Sequence, residues 1–257
     1  MAAKKGARRR YDLYGNPGTP EGRRLGGIRS LLTHHKYKGG GFKLLKHISR
    51  PRRSSSLAEL LGVFIGDGHL SYYQASVVTN LKTDYGHAVY ITKLIKKIFN
   101  VKTSIKKRPT EGAVVVVVSS KKFVDVISSF GMPKGNKLKN DPHIPLWIFG
   151  SKIYLRNFIR GLFDTDGCVF MDKHRFHSKI YVHLGWTITS ASVTLLADIF
   201  RALTILGYHP TWKELTQKSV YLRRQKEINR YFSEIGSSNP KHLQRFKSFH
   251  GRVPKRS

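Results

Sequence analysis

The sequence predicts an α+β protein in which one unit, read as helix, two strands, helix, two strands, helix, occurs twice behind a basic N-terminal extension. Three observations carry this expectation. Residues 57–70 (LAELLGVFIGDGHL) and 155–168 (LRNFIRGLFDTDGC) each run a helical apolar pattern into Asp-Gly. The elements behind each copy recur in the same order, as expected for an internal repeat. Composition also changes near Ser54. The aspartates of the two copies, Asp67 and Asp166, lie 166 − 67 = 99 residues apart, and the expected division is 1–53 for the extension, 54–150 for the first repeat and 151–257 for the second.

The extension is dense in charge. Residues 1–56 hold 15 Lys and Arg against Asp12 and Glu21, and nine glycines, which points to an arm ordered weakly or only on a partner. Within it Thr19-Pro20-Glu21 reads as an N-cap, a first-turn proline and an acid favourable to the helix dipole. Gly26-Gly27 should then stop the helix after one or two turns.

In the first repeat, 71–80 reads as a short hairpin and 84–99 as a helix with Ala88, Ile91, Leu94, Ile95 and Ile98 on one face. Two strand-like runs and a closing helix over 121–130 follow. In the second repeat, 179–189 is a long strand and 191–206 a helix with Leu195, Leu196, Ile199, Leu203 and Leu206 inward. Two short strands and a helix over 224–235 complete it.

Ile180, Val182, Leu184, Trp186 and Ile188 alternate with Lys179, Tyr181, His183, Gly185, Thr187 and Thr189, so one sheet face is expected in the core and the other is hydrogen-bonding. Lys102, Ser104, Lys106 and Arg108 form a similar row in repeat one, and Thr211, Lys213, Tyr221 and Arg223 do so in repeat two. Such rows suit phosphates and base edges. The run Val114 to Val118 lacks polar alternation, so that strand either contributes little to a polar face or touches thymine methyls.

The whole chain has 47 Lys and Arg against 15 Asp and Glu in 257 residues, a formal charge of +32, which demands a polyanionic partner. With 40% hydrophobic residues it can still build a core. No window approaches the ~20 apolar residues of a membrane span. A single cysteine, Cys168, excludes a disulfide framework, and the basic start MAAKKGARRR is not read as a secretory signal. A nucleic acid inside the cell, in the cytoplasm or an organelle, is the expected partner, with a membrane surface a distant second.

Gly62 and Gly66 share a helix face, as do Gly161 and Thr165, and small residues at that spacing let two backbones approach closely. Packing those faces together brings Asp67 and Asp166 side by side at helix C-termini, against the helix dipoles and each other. A divalent cation relieves both conflicts. Carboxylates with last-turn carbonyls are hard oxygen ligands suited to Mg²⁺, and a basic sheet bringing phosphodiesters to them describes metal-assisted hydrolysis.

Leu60 to Gly68 and Ile159 to Gly167 resemble, position by position, the LAGLIDADG motif, and the chain resembles a single-chain, two-motif LAGLIDADG homing endonuclease from about Ser54 onward. The resemblance implies a pseudo-twofold saddle of antiparallel sheets astride the DNA major groove. It also implies a monomer that cuts both strands of a long asymmetric site with Mg²⁺ or Mn²⁺. Asp67 and Asp166 would hold the metal with helix-end carbonyls near Gly66 and Thr165. Family members place a basic residue near the metal, which suggests Lys137 and Lys241, 241 − 137 = 104 residues apart and equally placed after Gly131 and Gly236. A polar residue ending each second strand, here Asn80 and Ser190, would contact the water. Asp164 has no acidic counterpart in copy one, where Ile65 stands.

The alternative is the same fold without chemistry, as an intron RNA maturase or a DNA-binding regulator. Retention of both aspartates weighs against it. An intein is not expected, because Met1 and Ser257 supply neither a splicing nucleophile nor the usual His-Asn end.

Overall fold

The computed structural model describes residues 2–16, 18–37, 48–177, 179–213, 216 and 218–250. The chain divides into two compact units, 1–46 and 47–257.

In the first unit α1 (Ala2–Tyr14) and α2 (Pro20–Tyr37) are joined by a tight turn. Gly15 adopts φ +66°, Asn16 Oδ1 accepts from Gly18 N at 2.8 Å, and Thr19 Oγ1 accepts from Gly22 N at 3.1 Å. A Cβ on Gly22 would lie 1.8 Å from the Asn16 carbonyl oxygen, so this turn requires a glycine. The expected stop at Gly26-Gly27 does not occur. α2 runs 18 residues through them, and their faces meet nothing within 4 Å. Each glycine costs only about 1 kcal/mol relative to Ala, too little to end a helix flanked by Leu, Arg and Glu.

The second unit begins before Ser54, since Ile48 is already in the core. Its first repeat opens with α3 (Ser55–Gly66), capped by Ser54 Oγ accepting from Leu57 N at 3.2 Å. β1 (Gly68–Leu70), β2 (Gln74–Asn80), α4 (Tyr85–Phe99), β3 (Ser104–Arg108), β4 (Ala113–Ser119) and α5 (Lys121–Ser128) follow. The strands form one antiparallel sheet in the order β1-β2-β4-β3. The valine run, β4, is one of its two inner strands. Val114, Val116 and Val118 join the core, while Val115 and Val117, on the opposite face, are still only 3% and 4% exposed.

A short helix, α6 (Leu146–Phe149), precedes the second repeat: α7 (Lys152–Asp166), β5 (Gly167–Phe176), β6 (Lys179–Thr189), α8 (Val193–Ile205), β7 (Ser219–Leu222), α9 (Gln225–Glu234) and α10 (Pro240–His250). Its sheet has the order β5-β6-β7, also antiparallel. The fourth strand expected here is reduced, among the described residues, to one bridge in which Thr211 and Tyr221 exchange backbone hydrogen bonds of 2.8 and 2.9 Å. Pro210 stands before it and has no N–H with which to extend the pairing.

β6 spans the expected residues, but its core face is shorter than the alternation implied. Leu184, Trp186 and Ile188 are buried, whereas Ile180 is 64% exposed. The reason is register: β7 pairs only with Trp186 to Thr189, so the far half of β5 and β6 is a two-stranded ribbon with no third strand beside it among the described residues. α10 was not legible as a separate element. Phe246 on it stacks on Phe232 at 4.0 Å.

Candidate active site at the paired helix ends

α3 and α7 pack along the faces that carry the small residues. A Cβ on Gly62 would lie 2.2 Å from the Phe158 carbonyl oxygen, and one on Gly161 would lie 2.1 Å from that of Glu59. One turn later a Cβ on Gly66 would meet Thr165 Oγ1 at 1.9 Å and Asp166 Oδ2 at 3.2 Å. Backbone against backbone, the seam delivers both motif aspartates to one place.

Burial there changes their chemistry. Asp67 is pushed up to about 6, chiefly by desolvation and further by Asp84, against the opposing pull of Lys137 and Lys241. Asp166 is pushed up to about 7, again by burial first and then by the neighbouring Asp67, with Lys137 opposing. Lys137 is itself held below the ordinary lysine range by desolvation, which both aspartates counter. Its ammonium donates to the Ile65 carbonyl at 2.9 Å and to the Gly66 carbonyl. A positive charge thus already sits on the helix-end oxygens beside two carboxylates.

Lys137 and Lys241 are not placed alike, although their spacing made them equivalent. Lys241 donates to Asp84, with Nζ 2.8 Å from Oδ1 and 2.9 Å from Oδ2, rather than to a helix-end carbonyl. Burial works to raise Asp84, but the hydrogen bonds from Lys241 and Asn239 outweigh it and hold its carboxyl below the usual range. On α7 the carbonyl matching that of Ile65, at Asp164, accepts from Asn239 Nδ2 at 3.1 Å. Asn239 is therefore the functional-site residue that spacing missed. Its own amide oxygen accepts from Lys241 N at 3.1 Å at the start of α10, and its Nδ2 also reaches Asp84 at 3.0 Å.

The two lysine-bearing loops cross between repeats. The loop after α5 grips α8: Thr194 Oγ1 donates to Asp141 at 3.0 Å, and Ile144 N donates to Asp198 at 2.8 Å. The loop after α9 grips the first repeat through Asp84 and through Ser238 Oγ, which donates to Glu59 at 2.7 Å. Lys137 of repeat one accordingly lines a cleft of about 370 Å³ together with Asp166, Thr189, Ser190 and Lys218 of repeat two.

Behind the aspartates lies a buried polar layer that periodicity could not reveal. Glu59, 2% exposed, accepts from Arg160, Tyr90 and Ser238. Asp164, the acid without a counterpart, is also 2% exposed and accepts from Ser237 Oγ and Ser238 N, and burial pushes it up to about 7. His87 Nε2 lies 3.8 Å from it, beyond hydrogen-bonding reach, and burial holds that imidazole down to about 4. These groups lock α4, α7 and the loop before α10 together.

The expected polar contacts divide. Lys102, Lys106, Arg108, Lys213, Arg223 and Thr189 are exposed. Arg108 pairs with Glu111 at 3.1 Å, and Arg223 lies over the Tyr221 ring while reaching Asp172 at 3.3 Å. His183 is half-buried. Three residues, Thr187, Asn80 and Ser190, already spend polar atoms inside the protein. Thr187 is 9% exposed and donates its hydroxyl to the Val220 carbonyl at 3.1 Å, because Tyr221 stands opposite it on β7. Asn80 Oδ1 is occupied by the N–H groups of Lys82 and Thr83, at 2.9 and 3.0 Å, in a turn after the strand. Register counted from the motif glycines, which pairs Gly68 with Val77 and Gly167 with Ile188, makes Ala191 rather than Ser190 the match of Asn80; Ser190 Oγ accepts from Ser192 N at 3.1 Å. The side chains of Lys179 and Tyr181 lie outside the described residues.

Residues 154–236, which hold the second Asp-Gly helix and its sheet, match the LAGLIDADG-like domain family. The second motif lies inside these residues, and the first, Leu60 to Gly68, repeats it outside them. The chain's fold is that of the LAGLIDADG homing endonucleases. It superposes on I-DmoI in complex with DNA and Ca with a TM-score of 0.52 at 19% identity, covering 76% of this chain and 97% of that one. I-SmaMI bound to an uncleaved DNA target in the presence of calcium ions gives 0.52 at 11% identity, covering 78% and 90%. The meganuclease I-AabMI bound to uncleaved DNA gives 0.52 at 9%, covering 76% and 89%. Among curated proteins, the tRNA-splicing ligase RtcB of Pyrococcus furiosus is 28% identical over 185 residues, covering 65% of this chain and 19% of the ligase. The replication factor C small subunit of Methanocaldococcus jannaschii is 30% identical over 125 residues, covering 45% of this chain and 7% of that protein. The chain therefore spans a fifth or less of the length of these relatives.

Proposed function

We propose that this protein is a site-specific endonuclease that hydrolyses both strands of double-stranded DNA with a divalent cation, Mg²⁺ or Mn²⁺. The observation that carries the reading is the juxtaposition of Asp67 and Asp166 at the end of a backbone-tight helix seam, with Lys137 between them. The fold neighbours bound to DNA in the presence of calcium support it.

The donor set fits a hard cation. Among the described residues no cluster of three or more His, Cys, Asp or Glu is placed to hold a metal, so the ion would rest on the two carboxylates, the carbonyls near Gly66 and Thr165, and oxygens of phosphate and water. When bound it would lower the pKa of water and offset charge on the phosphate. The chain's own groups do the rest. Asp67 and Asp166 are kept buried and adjacent by the glycine seam, and their raised pKa values express a demand for positive charge at that point. Lys137 presents an ammonium to the phosphoryl oxygens as water adds to phosphorus, one ester P–O bond breaks and the departing oxygen takes up a proton. Asn239 and the Asp84–Lys241 pair fix the loop behind Asp67. Exposed Lys102, Lys106, Arg108, Lys213 and Arg223 bind the backbone and base edges. Because the repeats are joined in one chain and differ in sequence, a monomer addresses an asymmetric target.

The test is cleavage of a randomised DNA library with Mg²⁺, sequencing the cut ends, by wild type, D67N and D166N. Each substitution is expected to abolish cutting of at least one strand while DNA affinity persists. Wild-type-like double-strand cutting by both variants would overturn the metal assignment. Binding of DNA or intron RNA without any cutting would favour the non-catalytic reading.

A further inference from the structure

The two halves of the site carry different cations, and one of them was not signalled by either motif. Lys218 lines the cleft of Asp166 and Lys137, is exposed, and has no ion-pair partner among the described residues. Its place is defined by the backbone: Ser190 N donates to the Lys218 carbonyl at 3.0 Å just past the end of β6. Counted from the motif glycines, Gly68 pairs with Val77 and Gly167 with Ile188, and these pair in turn with Val116 and Val220. The counterpart of Lys218 is therefore Val114, which is buried and carries no charge. On that side the available lysine, Lys241, is already bonded to Asp84. Two of the three ammonium donors of Lys137 are held by carbonyls, which leaves it one for a phosphate at a fixed place, whereas the ammonium of Lys218 stands on a long exposed stem and can follow a phosphate as it moves through the reaction.

We propose that Lys218 is a phosphate-holding residue of one half-site only, and that the strand lying in the Asp166 cleft depends on it for its cleavage while the other strand does not. The proposal rests on the endonuclease reading above. Its consequence is sequential cutting: the strand served by Lys218 is broken first, and a nicked duplex is the intermediate.

The experiment follows cutting of a target duplex end-labelled on one strand or the other, in single-turnover conditions with Mg²⁺, by wild type, K218A and K218R. Affinity is measured in parallel without the metal. In K218A one strand is expected to slow by about 10-fold, below the ~10² to 10³ of a buried oxyanion donor because an exposed charge is screened. The other strand should stay within about 2-fold, and K218R should recover most of the loss, since a structural role of the side chain would not divide the strands. Equal slowing of both strands, or none, would overturn the assignment of Lys218. Absence of cutting by wild type would instead overturn the endonuclease reading itself.

Discussion

Replacing Gly62 by Ala sets two effects of opposite sign against each other. In an isolated helix the change stabilises by about 1 kcal/mol, because glycine in a helix interior costs that much. In this protein the new Cβ would sit 2.2 Å from the Phe158 carbonyl oxygen and 2.8 Å from Leu162 N. Ordinary contact begins near 3.4 Å, so α3 and α7 must separate by 3.4 − 2.2 = 1.2 Å at that level. The obstacle is backbone on both sides and cannot swing away as a side chain would. Overpacking of this kind costs about 1 to 3 kcal/mol, and the upper end applies to a rigid neighbour. The net expectation is a loss of about 1 to 2 kcal/mol, read as a drop of roughly 2 to 8 °C in Tm for a protein of this size. Residue 62 is also little more than one turn before Asp67. Opening the seam there displaces the two carboxylates relative to each other by about 1 Å, a misplacement that can cost on the order of 10²-fold in rate. Thermal unfolding and single-turnover cleavage check both parts. A G62A protein as stable as wild type, or more so, would refute the reasoning that the seam, rather than helix propensity, decides this position.

Removing Arg160 by R160M leaves Glu59 buried with only Tyr90 and Ser238 as donors, and urea unfolding should show a loss of about 3 kcal/mol, with the double variant E59M/R160M recovering most of it. Burial lowers His242 from 6.5 to about 4, so the neutral ring is the folded form. A group depressed in this way contributes stability above pH 6.5 that is lost as pH falls through 4; the displacement from 6.5 to about 4 bounds that loss at ~3 kcal/mol, and H242F should unfold less steeply with acid over that window. DNA affinity should fall linearly in log K against log salt with a slope of about −0.9 per phosphate neutralised, and a flat dependence would remove nucleic acid as the principal partner.

The repeated Asp-Gly helices, the antiparallel strands behind them and the close faces at Gly62 and Gly161 were legible because each is a local pattern: helical period, period-two alternation and small residues at matching offsets. The length of α2 was not, since glycine lowers helix stability without forbidding it. Nor was the reduction of repeat two's fourth strand, among the described residues, to the Thr211–Tyr221 bridge, where Pro210 interrupts a pairing that side-chain alternation alone suggested.

By itself the sequence determined that two aspartates end two equivalent helices in a strongly cationic chain. Only the tertiary structure decided how unequal their surroundings are. Lys137 and Lys241 share a sequence offset, yet one reaches helix-end carbonyls and the other is held by Asp84, a residue 157 positions away. Asn239 likewise takes its place from a loop that crosses between repeats, where it reaches Asp84 of the other repeat. Equal spacing records common descent of two units along the chain, whereas charge partners are fixed by contacts between units, and those contacts have no period to read.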